Sequence, residues 1–311
     1  AAVFQLFDGF QVVSTGALLL VTLGLGSCGG GSGGGGGGGV EPPPVGEPPV
    51  YSTATAVRVT AATPFTGNCL ALPAAETAYV NAEVEPHLAL DASNPNHLVA
   101  AWQQDRLSDG GTKGLASAVS VDGGVTWSRP QAVPFSQCAG GSFARASDPW
   151  VAVNGVNALH IGIAFTGAAQ AAGSRSTVLV SRSTDGGTAW GPPVTLIDDD
   201  GNRFFNDKES LTIDAADPRR VYAVWDRLDV TERGVTMLAR SLDGGATWSS
   251  STAIYDPGAG RQTIGNVAVT TPDGKVHVFF TELASAAGNA AVTEGSLNVI
   301  HSADQGLTWS A

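Results

Sequence analysis

Two short stretches place an arginine directly after an aspartate at the end of an apolar run. They are Trp102-Gln103-Gln104-Asp105-Arg106 and Trp225-Asp226-Arg227. A guanidinium is a rigid fork of donors that grips a carboxylate in a bidentate fashion. Arg106 and Arg227 are therefore candidates to bind an acidic ligand, with Asp148 and Asp226 beside them as polar contacts. The alternative is a structural ion pair with Asp105 or Asp226. A second group, Asp198-Asp199-Asp200-Gly201-Asn202, concentrates hard oxygen donors. With Asp207, the residues Asp198, Asp200 and Asn202 could hold Ca²⁺, although the full EF-hand spacing and its terminal Glu are missing. A solvated acidic turn is the other reading, and no cofactor is required. The histidines, His87, His97, His160, His277 and His301, form no HxxxH or HExxH pair, which argues against zinc. No GxSxG elbow, Walker loop or dinucleotide fingerprint occurs.

These residues must be positioned by strands. One octet recurs at 120–127, 183–190, 241–248 and 302–309, at intervals of about 60 residues. Its Asp and Trp are Asp122 and Trp127, Asp185 and Trp190, Asp243 and Trp248, and Asp304 and Trp309. The second copy has Ala189 where the others have Thr. An alternating apolar strand precedes each copy, and two more strands joined by an Asn/Asp/Gly/Pro turn precede that one. The first of these strands is expected to begin at His87, Trp150, Ser210 and Val267, and Ala54–Ala61 reads as a further strand that could close a ring. No long stretch has helical periodicity. Such a repeat, of roughly four strands, is a propeller blade. In the octet, Asp is suited to accept hydrogen bonds from turn N–H groups and the Thr hydroxyl, Gly to supply positive φ, and Trp to cover the hairpin. These Asp residues are thus structural.

The octet resembles the Asp-box, or bacterial neuraminidase repeat, of sialidases and related propellers, over residues from about 80 to 310. The resemblance implies an all-β, sialidase-like β-propeller over 51–311, with the octet between the third and fourth strands of each blade. Four blades are visible where the family has six, and the chain reads as C-terminally incomplete. The resemblance further implies an active site at the end opposite the octets, where sialidases hold the sugar carboxylate with three Arg. Retaining sialidases use a Tyr nucleophile assisted by a Glu, with an Asp acid/base. Glu209 and Asp105 are the carry-over candidates for those carboxylates, although Glu209 has a simple alternative in pairing with Lys208. The family's Phe/Tyr-Arg-Ile-Pro motif is absent, and no Tyr is clearly placed as nucleophile. An exo-glycosidase acting on terminal sialic acid or a related sugar, and a non-catalytic propeller that binds glycan or protein, both fit.

Composition sets the context. The 311 residues carry a net charge of −12, which disfavours nucleic acid as a partner. Hydrophobic residues make up 43% and charged ones only 14%, enough to bury a core. The apolar run Gly16–Leu25 ends in Leu25-Gly26-Ser27-Cys28, similar to a bacterial lipobox, although Ala1–Thr15 lacks the usual positive charge. Residues 1–28 thus read as a signal segment with Cys28 as the lipidated residue, or as a buried segment with an ordinary Cys. The Gly-rich and Pro-rich stretch 29–50 would be a tether. An exported, lipid-anchored envelope protein follows, with the anchor as its sole membrane contact. Cys69 and Cys138 would then pair, or stay as two buried thiols. On the anchor reading, Cys28→Ser should release the protein from membranes in a fractionation assay; a variant that stays bound would refute it.

Overall fold

The structure is a computed structural model that describes residues 55–285 and 292–310. Cys28 and the segments 1–28 and 29–50 lie outside the described residues. The first unit contains β1 (Ala78–Leu90), β2 (Leu98–Leu107), β3 (Thr112–Ser120) and the short β4 (Gln131–Ala132). The second contains β5 (Arg145–Asn154), β6 (Asn157–Thr166), β7 (Arg175–Ser183) and β8 (Val194–Asp200). The third contains β9 (Phe204–Ile213), β10 (Val221–Asp229), β11 (Gly234–Ser241) and β12 (Thr252–Tyr255). The fourth contains β13 (Arg261–Thr270), β14 (Val276–Ser285) and β15 (Val292–Ser302), and its last position is a bridge between His301 and Ser310. Strands within a unit are antiparallel neighbours in chain order. β1 lies against β5, β5 against β9, and β9 against β13, so the first strand of each unit faces a common axis. This is an all-β, β-propeller-like, sialidase-like fold.

Alternation of β-branched and aromatic residues drives the strands, and packing between units buries one face of each. Tyr222 and Val224 of β10 point toward the fourth unit and pack with Val276, Val278 and Phe280, while Ala223 and Trp225 point toward Ile161, Ile163 and Val178 of the second. A two-residue period thus sends alternate side chains to the two neighbouring units. Among the described residues, apolar side chains stay exposed on the two outer flanks: Tyr79, Val80, Leu88 and Leu90 on β1, and Phe279, Leu297 and Val299 on the fourth unit.

The repeated octets sit on the turns after β3, β7, β11 and β15, as the spacing implies. In the third copy Asp243 Oδ1 accepts from Thr247 N–H at 2.8 Å and Ser241 Oγ at 2.8 Å, and Oδ2 accepts from Thr247 Oγ1 at 2.6 Å. The first and fourth copies repeat this pattern, and these bonds, with that of the Thr hydroxyl foremost, hold Asp122, Asp243 and Asp304 down at about 2. In the second copy Ala189 offers only its N–H, at 2.9 Å from Asp185 Oδ1. There Trp190 leaves its own turn, and its Nε1 donates to Ser117 Oγ of the first unit at 2.7 Å.

Two expectations are corrected. Residues 55–61 form no strand. They belong to a strap that Cys69 ties to the first unit by a disulfide to Cys138, and that places Phe65 against Gly114. The first strand of each unit also begins five to nine residues earlier than the alternation suggested. A bulge interrupts each one, and one inserted residue flips the side chains that follow, so a two-residue period breaks there.

The octet glycines also lock units together. A Cβ on Gly245 (φ +86) would stand 2.5 Å from Leu159 Cδ2 of the second unit, whereas one on Gly124 (φ +88), in the first unit, would meet only its own Trp127 at 3.8 Å. Gly124→Ala is expected to cost about 1–2 kcal/mol from its backbone angle alone, and Gly245→Ala clearly more, in urea unfolding.

Candidate functional site

The four bulges occupy equivalent places in the innermost strands. The ladders shift between Val84 and His87, Ser147 and Trp150, Val224 and Asp226 (opposite 207–210), and Ile264 and Val267. Each carries one residue at positive φ: Glu85 at 50°, Asp148 at 55°, Lys208 at 47° and Gly265 at 67°. Left-handed backbone is uncommon for residues other than glycine, and bulges recur where a protein re-aims a side chain. Here the bulges bring Glu85, Asp148 and Lys208 together at the axis.

Lys208 Nζ lies 2.8 Å from Asp148 Oδ2 and 3.9 Å from Glu85 Oε2. Gln103, fully buried in β2, donates through Nε2 to Glu85 Oε2 at 2.7 Å and Ser147 Oγ at 2.8 Å, with Asp148 Oδ1 at 3.3 Å. Ser147 Oγ donates to Asp148 Oδ1 at 2.6 Å. Arg106 Nη1 donates to Gln103 Oε1 at 2.9 Å and so orients that amide. The ring of His87 stacks on Trp150 at 3.9 Å beside the two bulges.

The electrostatics split these carboxyls into two kinds. Burial alone would push the Asp148 carboxyl up, but the Lys208 charge and hydrogen bonds from Asp207, Lys208 and Ser147 hold it well below the usual range. Burial, and then the negative charge of Asp148, pushes Glu85 up to about 7. Asp207, Glu209 and Asp226 are driven well above ordinary carboxyls, first by burial and then by neighbouring carboxylates. Burial opposes the Lys208 charge, yet Asp148, Asp207 and Glu85 together raise its pKa and keep it protonated. An ionised carboxylate beside a carboxyl that gives up its proton near neutrality is equipped for acid–base chemistry.

The residues singled out from the sequence separate in space. Asp148, Asp226, Glu209 and Arg106 converge on the axial cluster. Glu209 does not pair with Lys208, because the bulge turns the lysine to Asp148 instead. Arg227 pairs with Asp199, at 2.9 Å (Nε–Oδ2) and 2.5 Å (Nη2–Oδ1), rather than with Asp226, and stacks over Phe204 at 3.5 Å. Asp105 is buried against the strap, where Oδ1 accepts from Asn81 N–H at 2.9 Å and Oδ2 from Thr63 Oγ1 at 3.1 Å. Asp198 pairs with Arg175, and Asn202 Oδ1 accepts from Gly173 N–H at 3.1 Å. Among the described residues no group of three or more His, Cys, Asp or Glu is arranged to hold a metal ion.

Strand alternation puts Glu85, Gln103 and Lys208 on the rim opposite the octets without assigning them a role, and it leaves out Ser147. The signal available was the internal match of Glu85-Pro86-His87 with Asp148-Pro149-Trp150, each set before an alternating run. The structure also joins Tyr255 to Glu282, with the phenol donating to Oε2 at 2.6 Å and Arg261 Nε on the other oxygen at 2.5 Å. Tyr255 belongs to β12, the last strand of its unit, so this pair stands apart from the axial one.

No protein-family profile and no curated protein matches the chain. Solved structures do. A protein of unknown function from Dyadobacter fermentans is 19% identical with a TM-score of 0.53, over 73% of this chain and 67% of that one. The Hadza microbial sialidase Hz136 is 16% identical with a TM-score of 0.52, over 74% of this chain and 46% of its own. A Trypanosoma rangeli sialidase mutant displaying trans-sialidase activity is 17% identical with a TM-score of 0.51, over 74% and 37%. This chain therefore spans less than half of the sialidases it matches, and the likeness defines a sialidase-like fold.

Lys208 is the counter-charge of a buried carboxylate, and removing one partner of such a pair is costly. Lys208→Met should lower stability at pH 7 by about 2–4 kcal/mol, discounted for a lysine that is one third exposed. The Asp148 contribution is present above its unfolded pKa and fades as pH falls through the lower folded one. The difference between wild type and variant in urea unfolding should therefore shrink toward acid pH.

Proposed function

We propose that this chain is an exported, sialidase-like glycoside hydrolase that removes a terminal sialic acid or a related sugar from a glycan or glycoprotein, with the axial cluster as its active site. One observation carries this reading. Glu85 is more than a third exposed at its side chain, has its pKa pushed up to about 7, and stands with Lys208 beside the ionised Asp148. Glu85 protonates the departing glycosidic oxygen as the bond to the anomeric carbon breaks, and water then adds to that carbon and returns a proton to Glu85. Asp148, held ionised by Lys208, stabilises the positive charge that develops on the sugar ring. Gln103 and Arg106 fix the Glu85 carboxyl in place. The fold supports the assignment by likeness alone, and propellers host many chemistries.

A second reading is a propeller that binds glycan without cleaving it. It is favoured by Arg227, whose guanidinium is already engaged by Asp199 and does not join Arg106. The Cys69–Cys138 disulfide supports export to an oxidising compartment, and the lipid anchor at Cys28 belongs to the same proposal.

The test is turnover of fluorogenic glycosides, a sialoside among them, from pH 4 to pH 9. A general acid must be protonated, so kcat/KM should fall as pH rises through about 7. Glu85→Gln should lower kcat by roughly 10²–10⁴-fold and abolish that fall. Absence of turnover at every pH would leave the binding reading in place of the hydrolase.

A further inference from the structure

At each joint between units, one backbone carbonyl accepts a side chain from the preceding unit. It belongs to the residue after the octet Asp, which is Gly186, Gly244 and Gln305 in the second, third and fourth octets. Gly244 O takes bonds from Asn157 Nδ2 at 3.0 Å and Arg182 Nε at 3.1 Å, and Gln305 O takes one from Arg240 Nη1 at 2.7 Å. Gly186 O instead faces His97 Nε2 at 2.9 Å. The other ring nitrogen, Nδ1, lies 3.1 Å from Asp91 Oδ2. The third unit builds the same corner with an arginine. Arg220 Nε donates to Asp214 Oδ2 at 2.8 Å, and Asp214 N–H bonds to Arg220 O as Asp91 N–H bonds to His97 O. A group that is permanently cationic in the third unit is thus a histidine in the first.

Both partners of the His97 ring are acceptors. A backbone carbonyl has no proton to give, and Asp91 is an ionised carboxylate. Burial opposes the Asp91 charge, but hydrogen bonds from Ser93, His97 and Gly155 hold its carboxyl down at about 2. Asp91 Oδ2 also accepts from Gly155 N–H of the second unit at 2.8 Å, so this carboxylate bridges the joint as well. A neutral imidazole has one N–H and satisfies one of the two contacts, leaving lone pair against lone pair at the other. We infer that the joint between the first and second units is a proton-operated latch, closed while His97 is an imidazolium that donates through both ring nitrogens, and loosened when the ring gives one proton to solvent. His97 is buried, and a Cβ on Gly186 would stand 3.0 Å from its Cε1 and Nε2, so the ring is closely packed and a lost bond there is costly. Among the described residues, Asp91 is the charged group in contact with the ring. Asp185, next to Gly186, binds Ser183 Oγ and Ala189 N–H of its own octet. Both carboxylates favour the charged ring. The Asn and Arg donors of the other joints keep their protons, so rising pH loosens the first joint alone. At the axis the same two units are bridged by Gln103, which donates to Ser147 Oγ. The latch therefore secures the octet end of the interface whose other end holds the candidate site.

The test reads the joint directly in the full chain. The Gly155 amide, whose bond to Asp91 crosses the joint, is followed by hydrogen exchange in wild type and in His97→Gln from pH 5 to pH 9. The ratio of the two rates cancels the intrinsic pH dependence of exchange. A cation that gains a partner stabilises at low pH, and the gain is lost as pH rises and the proton leaves. Gly155 should therefore exchange roughly tenfold more slowly in wild type than in the variant at pH 5, the worth of one charge-assisted bond, and that advantage should vanish toward pH 9. Ring ¹⁵N shifts of wild type, which need no variant to fold, should show both His97 nitrogens protonated at pH 5 and one at pH 9. Arg240→Gln removes the corresponding donor of the joint between the third and fourth units. Its effect on the urea midpoint should be equal at pH 5 and pH 9, whereas that of His97→Gln should shrink as pH rises. A rate ratio that stays constant with pH, a His97 ring carrying a single proton at pH 5, or the same pH dependence in Arg240→Gln as in His97→Gln would overturn the inference.

Discussion

The ammonium of Lys208, fixed between Asp148 and Glu85, is the interaction on which the rest of the axis depends. Five carboxyls crowd this region, and the fold supplies Lys208 as the charge that lets Asp148 stay ionised inside the protein. Burial first, and then the negative charge of Asp148, favours the protonated forms of Glu85, Asp207 and Glu209. Burial and this one ion pair together sort the carboxyls into an ionised residue and several proton-bearing ones. Lys208 reaches that place because its backbone adopts positive φ at a bulge, a conformation that Glu85 and Asp148 share.

Sheet geometry explains how such a cluster is affordable in a small fold. Units pack face to face through alternate side chains, so the apolar groups that stabilise the protein lie away from the axis. Val221, Ala223 and Trp225 are fully buried between the second and third units. Burying a Val, Leu or Ile side chain is worth about 1.5–3 kcal/mol, and dozens are available to offset a few poorly satisfied polar atoms. The octet turns add local rigidity at the far end, where Asp and Ser side chains satisfy backbone N–H groups that no strand can reach. Stability and chemistry thus occupy opposite ends of the same strands, and loss of a turn hydrogen bond at one end need not disturb the charges at the other.

The match to solved sialidases by shape, at under 20% identity, is consistent with this division. The alternation and the Asp–Gly turn chemistry fix the blades and hairpins of this chain, whereas its axial residues are held by one another's charges and hydrogen bonds. Here they are a lysine among carboxyls, with Arg227 held away by Asp199.

Much of the architecture was legible in the residues themselves. Four octets at near-constant spacing, each after an alternating strand, dictate four antiparallel units with turns at one end, because period and turn chemistry are local properties. The structural role of Asp122, Asp185, Asp243 and Asp304 was equally local, since each bonds to residues within four positions. The site was only partly legible. Asp148, Glu209, Asp226 and Arg106 were named, but Asp105 and Arg227 meet partners 24 or more residues away that no spacing announces. Which carboxyl keeps its charge was decided by tertiary structure alone. The bulges displace Glu85, Asp148 and Lys208 from the alternating pattern, and burial and charge proximity depend on distances across units that a linear pattern does not contain.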